Sequence, residues 1–169
     1  MANPRSKYMK TKLSVVLATR NEEANLSRCL ESVRTIADEI VIADEGSEDK
    51  TVEIAHKFKA KVINVSHHDN FHINKNVAID AALGDWILQL DADEIVSPEL
   101  AKEIQNIINN QPDRPAGGSS IVFRYWMNRK NWFLTRFLTK GGQYPDPTLR
   151  LYRRGKGRLP AKDVHEQAE

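Results

Sequence analysis

The stretch Gly84-Asp-Trp-Ile-Leu-Gln-Leu-Asp-Ala-Asp-Glu94 decides the fold class of this chain. Its first half is mostly apolar and predicts a buried strand, and its acidic second half predicts a turn where that strand ends. Two earlier stretches have the same order of apolar strand and polar turn. Leu13 to Ala18 (LSVVLA) is followed by Thr19-Arg-Asn-Glu22, and Glu39 to Ala43 is followed by Asp44-Glu45. Short apolar runs of this kind are typical of strands covered on both faces.

Helices are predicted between these strands. Asn25 can cap a helix whose apolar residues have helical spacing, and similar spacing predicts helices over residues 51–58 and 73–83. Ser97-Pro98-Glu99 starts a further helix that should run to about Asn109. A third strand is predicted over 61–65. The regular alternation implies right-handed crossovers and an α/β fold with a mostly parallel sheet and helices on both faces.

The second half of the chain has a different character. Residues 111–119 form a loop rich in Pro and Gly, and strands are predicted over 121–127 and 147–154. We expect these strands to be antiparallel members of the C-terminal half. No internal repeat is visible.

Length and composition limit the alternatives. The chain has 169 residues, 40% of them hydrophobic, and a single cysteine, which is enough for one domain with its own core and excludes a disulfide framework. The net charge of +2 gives no reason to expect nucleic acid as a partner. No apolar run approaches the roughly 18–20 residues of a membrane span, so the expected location is cytoplasmic. Residues 1–12 are polar and are predicted to be a flexible arm.

Acidic residues collect where the predicted strands end. Glu22 and Glu23 follow the first strand, Asp44 and Glu45 follow the second, and the acidic turn 91–94 follows the fourth. In an open α/β sheet these positions meet at one edge, where ligands bind. Asp91 and Asp93 can point to the same side and form an open site for Mg²⁺ or Mn²⁺, although a solvated turn that caps a helix is the simpler interpretation of the triplet alone.

Three motifs in this order and spacing resemble the family 2 glycosyltransferases of the GT-A fold, a Rossmann-like α/β fold. They are residues 13–22, residues 41–51 (VIADEGSEDKT) and residues 84–94. Further on, Gly141 to Asp146 (GGQYPD), Leu149 to Arg154 (LRLYRR) and Val164-His-Glu166 look like the subgroup that includes bacterial lipopolysaccharide-core β-glucosyltransferases. The resemblance implies one domain over 13–169, with a nucleotide-sugar half (13–96) and an acceptor half (97–169).

The resemblance also implies roles for individual residues. The donor would be a nucleotide sugar, expected to be UDP-linked, and the acceptor a glycan or glycolipid hydroxyl. The base and ribose would be held by the loop from Thr19 through Asn21 to Glu22 and by Asp44. Lys75 stands where the family often has Arg and would offer its charge to the diphosphate or the base. Asp91 and Asp93 would hold the ribose and the divalent metal, with Asp93 as the direct ligand. Because Glu45 replaces the family's usual Asp or Ser, the base-binding role stays open between Asp44 and Glu45.

The resemblance places the catalytic base of an inverting transfer at Glu166, which follows His165. Asp146 and Asp163 remain competitors, and a frayed terminal residue is the alternative interpretation of Glu166. Relatives usually continue past this point, so the chain is interpreted as a truncated or minimal enzyme. A catalytically inactive nucleotide- or sugar-binding domain and a phosphoacceptor receiver-like domain are the alternative functions.

Two further clusters have competing interpretations. The run His67-His68-Asp69 with His72 suits solvated loop residues better than a metal site, although one His can touch the ligand. Between Trp126 and Lys140, aromatic and basic residues alternate irregularly, which suits an anionic membrane surface, such as the inner membrane, or a platform for sugar rings. A helix that buries one face is favoured slightly, because core packing is the commoner fate of aromatic residues at helical spacing. The association state is left open.

Overall fold

A computed structural model describes residues 12–68, 70–110, 122–133, 135–140 and 144–160 of the chain. Its strands are β1 (Leu13–Thr19), β2 (Glu39–Asp44), β3 (Lys61–Asn64), β4 (Trp86–Gln89), β5 (Arg124–Arg129), β6 (Trp132–Phe133), β7 (Arg136–Phe137) and β8 (Asp146–Arg153). Its helices are α1 (Leu26–Val33), α2 (Thr51–Lys57), α3 (Phe71–Ala81) and α4 (Pro98–Asn110).

Six of the strands form one sheet in the order β3-β2-β1-β4-β8-β5. The first four are mutually parallel, whereas β8 runs antiparallel to both β4 and β5. The predicted mostly parallel sheet with a small antiparallel part in the C-terminal half is therefore confirmed. Strands from both halves of the chain belong to the same sheet, since β8 pairs directly with β4.

Helices cover both faces of this sheet, as the alternating pattern predicts. On one face α1 contributes Leu26, Leu30 and Val33 to a core that α2 and α4 complete. On the other face α3 packs Ala78 and Ile79 against the sheet. β1 is buried along nearly its whole length because it is covered from both sides, which explains its unbroken apolar sequence.

The strand order places the ligand crevice. From β1 the chain first builds outward to β2 and β3, and it then returns to the other side of β1 to add β4. Neighbouring loops diverge at such a reversal and leave a crevice beyond the carboxyl ends of the strands. The order also excludes the receiver-like alternative, because receiver domains have the order 2-1-3-4-5.

The aromatic and basic segment differs from the favoured prediction. It is not a helix: β5 occupies residues 124–129, and β6 and β7 form a separate two-stranded ribbon. The alternation of β5 directs Tyr125 and Met127 to the core and leaves Trp126 58% exposed. β5, which pairs with β8, therefore agrees with the strand predicted over 121–127, whereas the helix favoured for the cluster from Trp126 to Lys140 is wrong in the described part of that cluster.

Smaller differences concern the start of the domain and of α1. Residues 1–11 lie outside the described residues, and Lys12, assigned to the arm, already accepts a hydrogen bond at its carbonyl oxygen from Trp86 N (2.9 Å). Asn25 occupies the N-cap position of α1, but its side chain makes no capping bond and instead donates to Glu22 Oε2 (3.0 Å). Across the described residues, no helix combines the length and apolar character needed to cross a membrane.

Candidate functional site

A cleft of about 380 Å³ opens at the carboxyl ends of β1 and β4 and is closed on one side by α3. Its lining side chains are mostly charged. The acids are Glu22, Glu45, Asp91 and Asp93, and the cations are Arg20 and Lys75. Thr19 also lines the cleft, and Phe71 presents a 40% exposed ring to it. The predicted convergence of acids at one sheet edge is therefore observed.

Asp44 lies at the end of β2 and is 1% exposed. Its carboxylate accepts hydrogen bonds from Thr19 Oγ1 (2.9 Å), from Ser47 N (2.9 Å) and from Ser47 Oγ (2.6 Å). Gly46 makes this turn possible with a φ of +74°, a region that favours glycine. The Asp44 carboxylate thus ties β1 to the loop after β2, and it is absent from the cleft lining.

Glu45, the residue after Asp44, does line the cleft. Its Oε2 lies 2.9 Å from Nδ1 of His67, and the same ring nitrogen lies 3.2 Å from an Arg20 guanidinium nitrogen. Glu45 is therefore the cleft carboxylate of this motif, and His67 contacts it from the loop after β3. His72 faces elsewhere, since its Nδ1 lies 2.9 Å from the carbonyl oxygen of Pro160.

The loop after β1 is cross-linked to the loop after β2. Asn21 has a φ of 54°; its N–H donates to Ser47 Oγ (2.9 Å), and its Oδ1 accepts from Glu48 N (2.8 Å). Glu22 donates its N–H to Thr51 Oγ1 (2.7 Å) and lines the cleft with its side chain. Of the residues predicted to hold the nucleotide sugar, Thr19, Glu22, Lys75 and Asp91 line the cleft, and Asn21 and Asp44 support its wall.

Asp91 carries the densest charge contacts of the site. Its Oδ1 contacts Lys75 Nζ, and its Oδ2 lies 2.7 Å from an Arg150 guanidinium nitrogen. Both cations are buried, with side chains 9% and 6% exposed. Burial alone would raise the pKa of Asp91, but the charges of Lys75 and Arg150 and their hydrogen bonds outweigh it and lower this pKa to about 2. The carboxylate is therefore ionised and already neutralised by two protein cations.

Glu94 closes the acidic turn that follows β4. Its N–H donates to the carbonyl oxygen of Asp91 (3.0 Å), and its Oε2 accepts from the N–H of Asp91 (3.0 Å). Its Oε1 lies 2.5 Å from Arg150 and 3.6 Å from Arg129. Asp93 sits inside this closed turn, is exposed, lines the cleft and has no hydrogen-bond or ion-pair partner among the described residues.

The donor set can be tested against a metal ion. Within the ranges that the structure describes, no three His, Cys, Asp or Glu side chains form a metal-binding group. The two oxygens of Asp91 are occupied by Lys75 and Arg150, which leaves the open carboxylate of Asp93. A single carboxylate suits Mg²⁺ or Mn²⁺, which keep several waters and complete their shell with substrate phosphates.

Of the three candidate bases, only Asp146 belongs to the residues that the structure describes. Asp146 Oδ2 accepts hydrogen bonds from Asn131 Nδ2 (3.1 Å) and from Arg129 Nε (3.1 Å) and Nη2 (2.9 Å). The hydrogen bond from Asn131 and the charge of Arg129 outweigh burial and lower the pKa of Asp146, which makes its carboxylate a weaker base. Glu166, Asp163, His165 and Asp69 lie outside the described residues.

The sequence analysis did not predict that Arg150 pairs with Asp91 or that Glu94 closes the acidic turn after β4. Arg150 lies in the motif LRLYRR, whose resemblance was visible, but nothing in that motif indicates which charge is buried. Only the pairing of β8 with β4 brings Arg150 beside Asp91, since their sequence separation is 59 residues. Phe71 was also not predicted to line the cleft, and Arg20 belongs to the loop 19–22 that was predicted to bind the donor but had no role of its own.

Comparison with known proteins agrees with this geometry. The family model described as Glycosyl transferase family 2 matches residues 14–165. An uncharacterized glycosyltransferase of Rickettsia typhi is 42% identical over 122 residues, which cover 71% of this chain and 41% of that protein. The lipopolysaccharide core biosynthesis glycosyltransferase LpsC of Rhizobium meliloti is 30% identical over 162 residues, which cover 93% of this chain and 57% of LpsC.

The fold is also found in solved structures. The crystal structure of S. aureus TarS 1–349 superposes with a TM-score of 0.59 at 21% identity and covers 90% of this chain and 51% of that one. A second TarS crystal structure, in complex with UDP-GlcNAc, has a TM-score of 0.53 at 24% identity and covers 66% of this chain and 37% of that one.

The chain spans 27% to 57% of the length of the curated relatives it matches. The family model nevertheless covers almost the whole of this chain and includes all three motifs at the cleft. The chain therefore belongs to glycosyl transferase family 2.

Proposed function

We propose that this domain transfers a sugar from a nucleotide-sugar donor, with inversion at the anomeric carbon, to a hydroxyl of a glycan or glycolipid. The observation that carries the proposal is the cleft beyond β1 and β4, where the exposed Asp93 carboxylate lies beside an Asp91 neutralised by Lys75 and Arg150. Such an arrangement offers one open oxygen ligand to a metal ion, and it offers the Lys75 ammonium, which lines the cleft, to a diphosphate.

The cleft walls suit the two ends of a nucleotide sugar. Carboxylates such as Glu45 and Glu22 accept hydrogen bonds from ring N–H groups and ribose hydroxyls. Lys75 Nζ lies 4.6 Å from the centre of the Phe71 ring and reaches Asp91, so its charge is held at the rim where a diphosphate would lie. UDP is the first nucleotide to test, because the TarS relative in structure was crystallised with UDP-GlcNAc.

Asp93 would hold a divalent cation, Mg²⁺ or Mn²⁺, together with phosphate oxygens. When bound, that cation supplies positive charge against the negative charge that builds on the leaving nucleoside diphosphate. Lys75 adds a protein cation to the same region. Arg150 and Glu94 keep the acidic turn in place and do not themselves line the cleft.

In the transfer step, the acceptor hydroxyl oxygen bonds to the anomeric carbon as the bond from that carbon to the diphosphate breaks. The hydroxyl proton passes to a base, and the nucleoside diphosphate leaves with the bonding pair. We assign the base to Glu166. The Pro160 carbonyl is hydrogen-bonded to His72, next to Phe71 of the cleft, and the six residues from Pro160 to Glu166 span at most about 20 Å. A chain of this length is long enough to bring Glu166 to the cleft, which supports the proposal.

The name of one relative supports the choice of acceptor. LpsC is named for lipopolysaccharide core biosynthesis, so a glycolipid with a sugar core is the first acceptor to test.

The decisive experiment is calorimetry of UDP with and without Mn²⁺, followed by a panel of UDP-sugars and detection of released UDP with core-oligosaccharide acceptors. Metal-dependent UDP binding with turnover supports the proposal. Nucleotide binding without turnover by any donor and acceptor pair favours the inactive binding domain, and no nucleotide binding at all rejects both.

A further inference from the structure

The β6–β7 ribbon stands apart from the main sheet. It pairs with no other strand among the described residues, and its cross-strand pair Trp132 and Phe137 packs edge to face with ring centres 4.8 Å apart. Both rings are open to solvent, at 60% and 50% exposure. Aromatic side chains that expose about half of their surface to solvent are typical of a contact surface.

Exposed apolar side chains are concentrated in the segment of the chain that contains this ribbon. Of the ten large hydrophobic side chains that are exposed among the described residues, six belong to residues 122–144. They are Val122, Phe123, Trp126, Trp132, Phe137 and Tyr144. The remaining four are scattered over residues 71–95, so this segment, and not the surface in general, carries the apolar exposure.

The charge of the same segment has one sign. Residues 122–140 contain five basic residues and no acid. Arg136 and Lys140 are exposed and have no acidic partner among the described residues, and Lys130 lies over the Tyr144 ring at 6.0 Å. Exposed basic side chains beside exposed Trp and Phe complement an anionic lipid surface, because the cations pair with headgroups and the rings enter the interfacial layer.

We propose that Trp132, Phe137, Lys130, Arg136 and Lys140, here named the ribbon face, dock this domain on an anionic lipid bilayer. The inference does not depend on the proposed transfer reaction. A chain of contacts links the ribbon to the acidic turn after β4. Asn131, at the base of the ribbon, donates to Asp146, which also binds Arg129, and Arg129 lies 3.6 Å from Glu94 of the acidic turn. These contacts connect the base of the ribbon to the acidic turn that carries Asp93.

The test is co-sedimentation of the full chain with vesicles of phosphatidylcholine, with and without 30% phosphatidylglycerol as a probe of about physiological anionic charge. Two variants remove the ribbon face in parts: Trp132→Ala with Phe137→Ala, and Arg136→Gln with Lys140→Gln. Leu83→Ala is the apolar control, since Leu83 is 62% exposed elsewhere on the surface. Lys57→Gln with Lys102→Gln is the charge control, because it removes the same net charge from α2 and α4.

We expect wild type to bind the anionic vesicles only, each ribbon variant to lose about tenfold or more in vesicle affinity, and both controls to stay within about twofold. UDP affinity should be the same in all of them, since none of these residues lines the cleft, and this readout also reports that the variants are folded. Binding that survives both ribbon variants, or that both controls weaken equally, overturns the proposal, as does a wild type that ignores anionic vesicles.

Fluorescence gives an independent reading. In Trp126→Phe, Trp132 is the one exposed tryptophan, because Trp86 is 1% exposed. A blue shift of its emission on addition of anionic vesicles places the ring in the interface and supports docking. Unchanged emission under conditions where the protein sediments means that another surface binds, and it also overturns the proposal. A shift produced by soluble core oligosaccharide and not by vesicles would make the ribbon face an acceptor platform.

Discussion

Arg150 on β8 lies 2.7 Å from Asp91 and 2.5 Å from Glu94, so one buried guanidinium holds both ends of the acidic turn after β4. The side chain is 6% exposed. The charges of Asp91 and Glu94 outweigh the effect of burial and raise the pKa of Arg150. Because Glu94 also closes the turn around Asp93, the shape of the turn depends on an antiparallel strand that arrives more than fifty residues later.

The first prediction tests this dependence. Arg150→Met should lower the free energy of unfolding by about 3–5 kcal/mol, because Glu94 loses its nearest cation and Asp91 loses one of its two cations in a partly buried place. Urea unfolding measures the effect. The control is Arg158→Gln, which removes a pair with Asp80 whose side chains are 65% and 57% exposed, and it should change stability little. Equal effects of the two variants would contradict the role of Arg150.

The second prediction concerns Asp93. Asp93→Ala should remove the metal-dependent part of UDP binding, at least about tenfold in affinity, and leave the free energy of unfolding nearly unchanged, because the carboxylate is exposed and makes no hydrogen bond or ion pair with a described residue. Calorimetry with and without Mn²⁺ separates the two parts. Unchanged metal-dependent affinity would move the metal to another group or remove it from the proposal.

The third prediction separates Asp44 from Glu45. Asp44→Asn should lower the free energy of unfolding by about 1–3 kcal/mol, because a buried carboxylate that accepts three hydrogen bonds becomes an amide with one acceptor. Glu45→Gln should leave stability nearly unchanged and weaken UDP binding by about 1–3 kcal/mol if this carboxylate accepts from a ring N–H. The reverse result would return the base-reading role to Asp44.

The sequence predicts which strands and acidic residues form this site, but it does not predict the contacts between residues that are distant in the chain. Periodicity locates β1, β2 and β4, and the rule that parallel strands end at one edge brings Glu22, Glu45 and Asp91 together. The buried state of Asp44 and the pairing of Asp91 with Arg150 depend instead on long-range contacts. The register of β8 against β4 sets the pairing of Asp91 with Arg150 and has no local signal in the sequence. Gly46 signals a turn, but the sequence does not show that this turn buries Asp44 instead of Glu45.

The aromatic segment shows the same limit. Local sequence predicts a strand over 121–127, which matches β5, but the pairing of β5 with β8 and the separate β6–β7 ribbon depend on partners that residues 124–137 do not specify. The sequence also could not predict that Trp126 is exposed, since this depends on which face of β5 packs against the core.

The fourth prediction is a pH dependence. The folded pKa of Asp91 is about 2, below the unfolded value of about 3.9, so its ion pairs stabilise the protein above about pH 4, and this stability is lost as the pH falls toward 2. The difference in free energy of unfolding between wild type and Asp91→Asn should therefore be largest at neutral pH and shrink from about pH 4 downward. Urea unfolding at a series of pH values measures it, and a difference that is constant with pH would contradict the ionised pair.

The last prediction tests Glu166 as the base. Glu166→Gln should preserve UDP-sugar affinity, because the amide is nearly isosteric, and should lower the rate of transfer by about 10²- to 10⁴-fold, because the acceptor proton has no carboxylate to accept it. Calorimetry and UDP release measured on the same preparation separate binding from transfer. Asp146→Asn is the matched comparison: its carboxylate has a lowered pKa and is held by Arg129 and Asn131, so we expect a smaller loss of rate. A Glu166→Gln enzyme that transfers at nearly the normal rate would exclude Glu166, and a large loss in Asp146→Asn or Asp163→Asn would then identify the base.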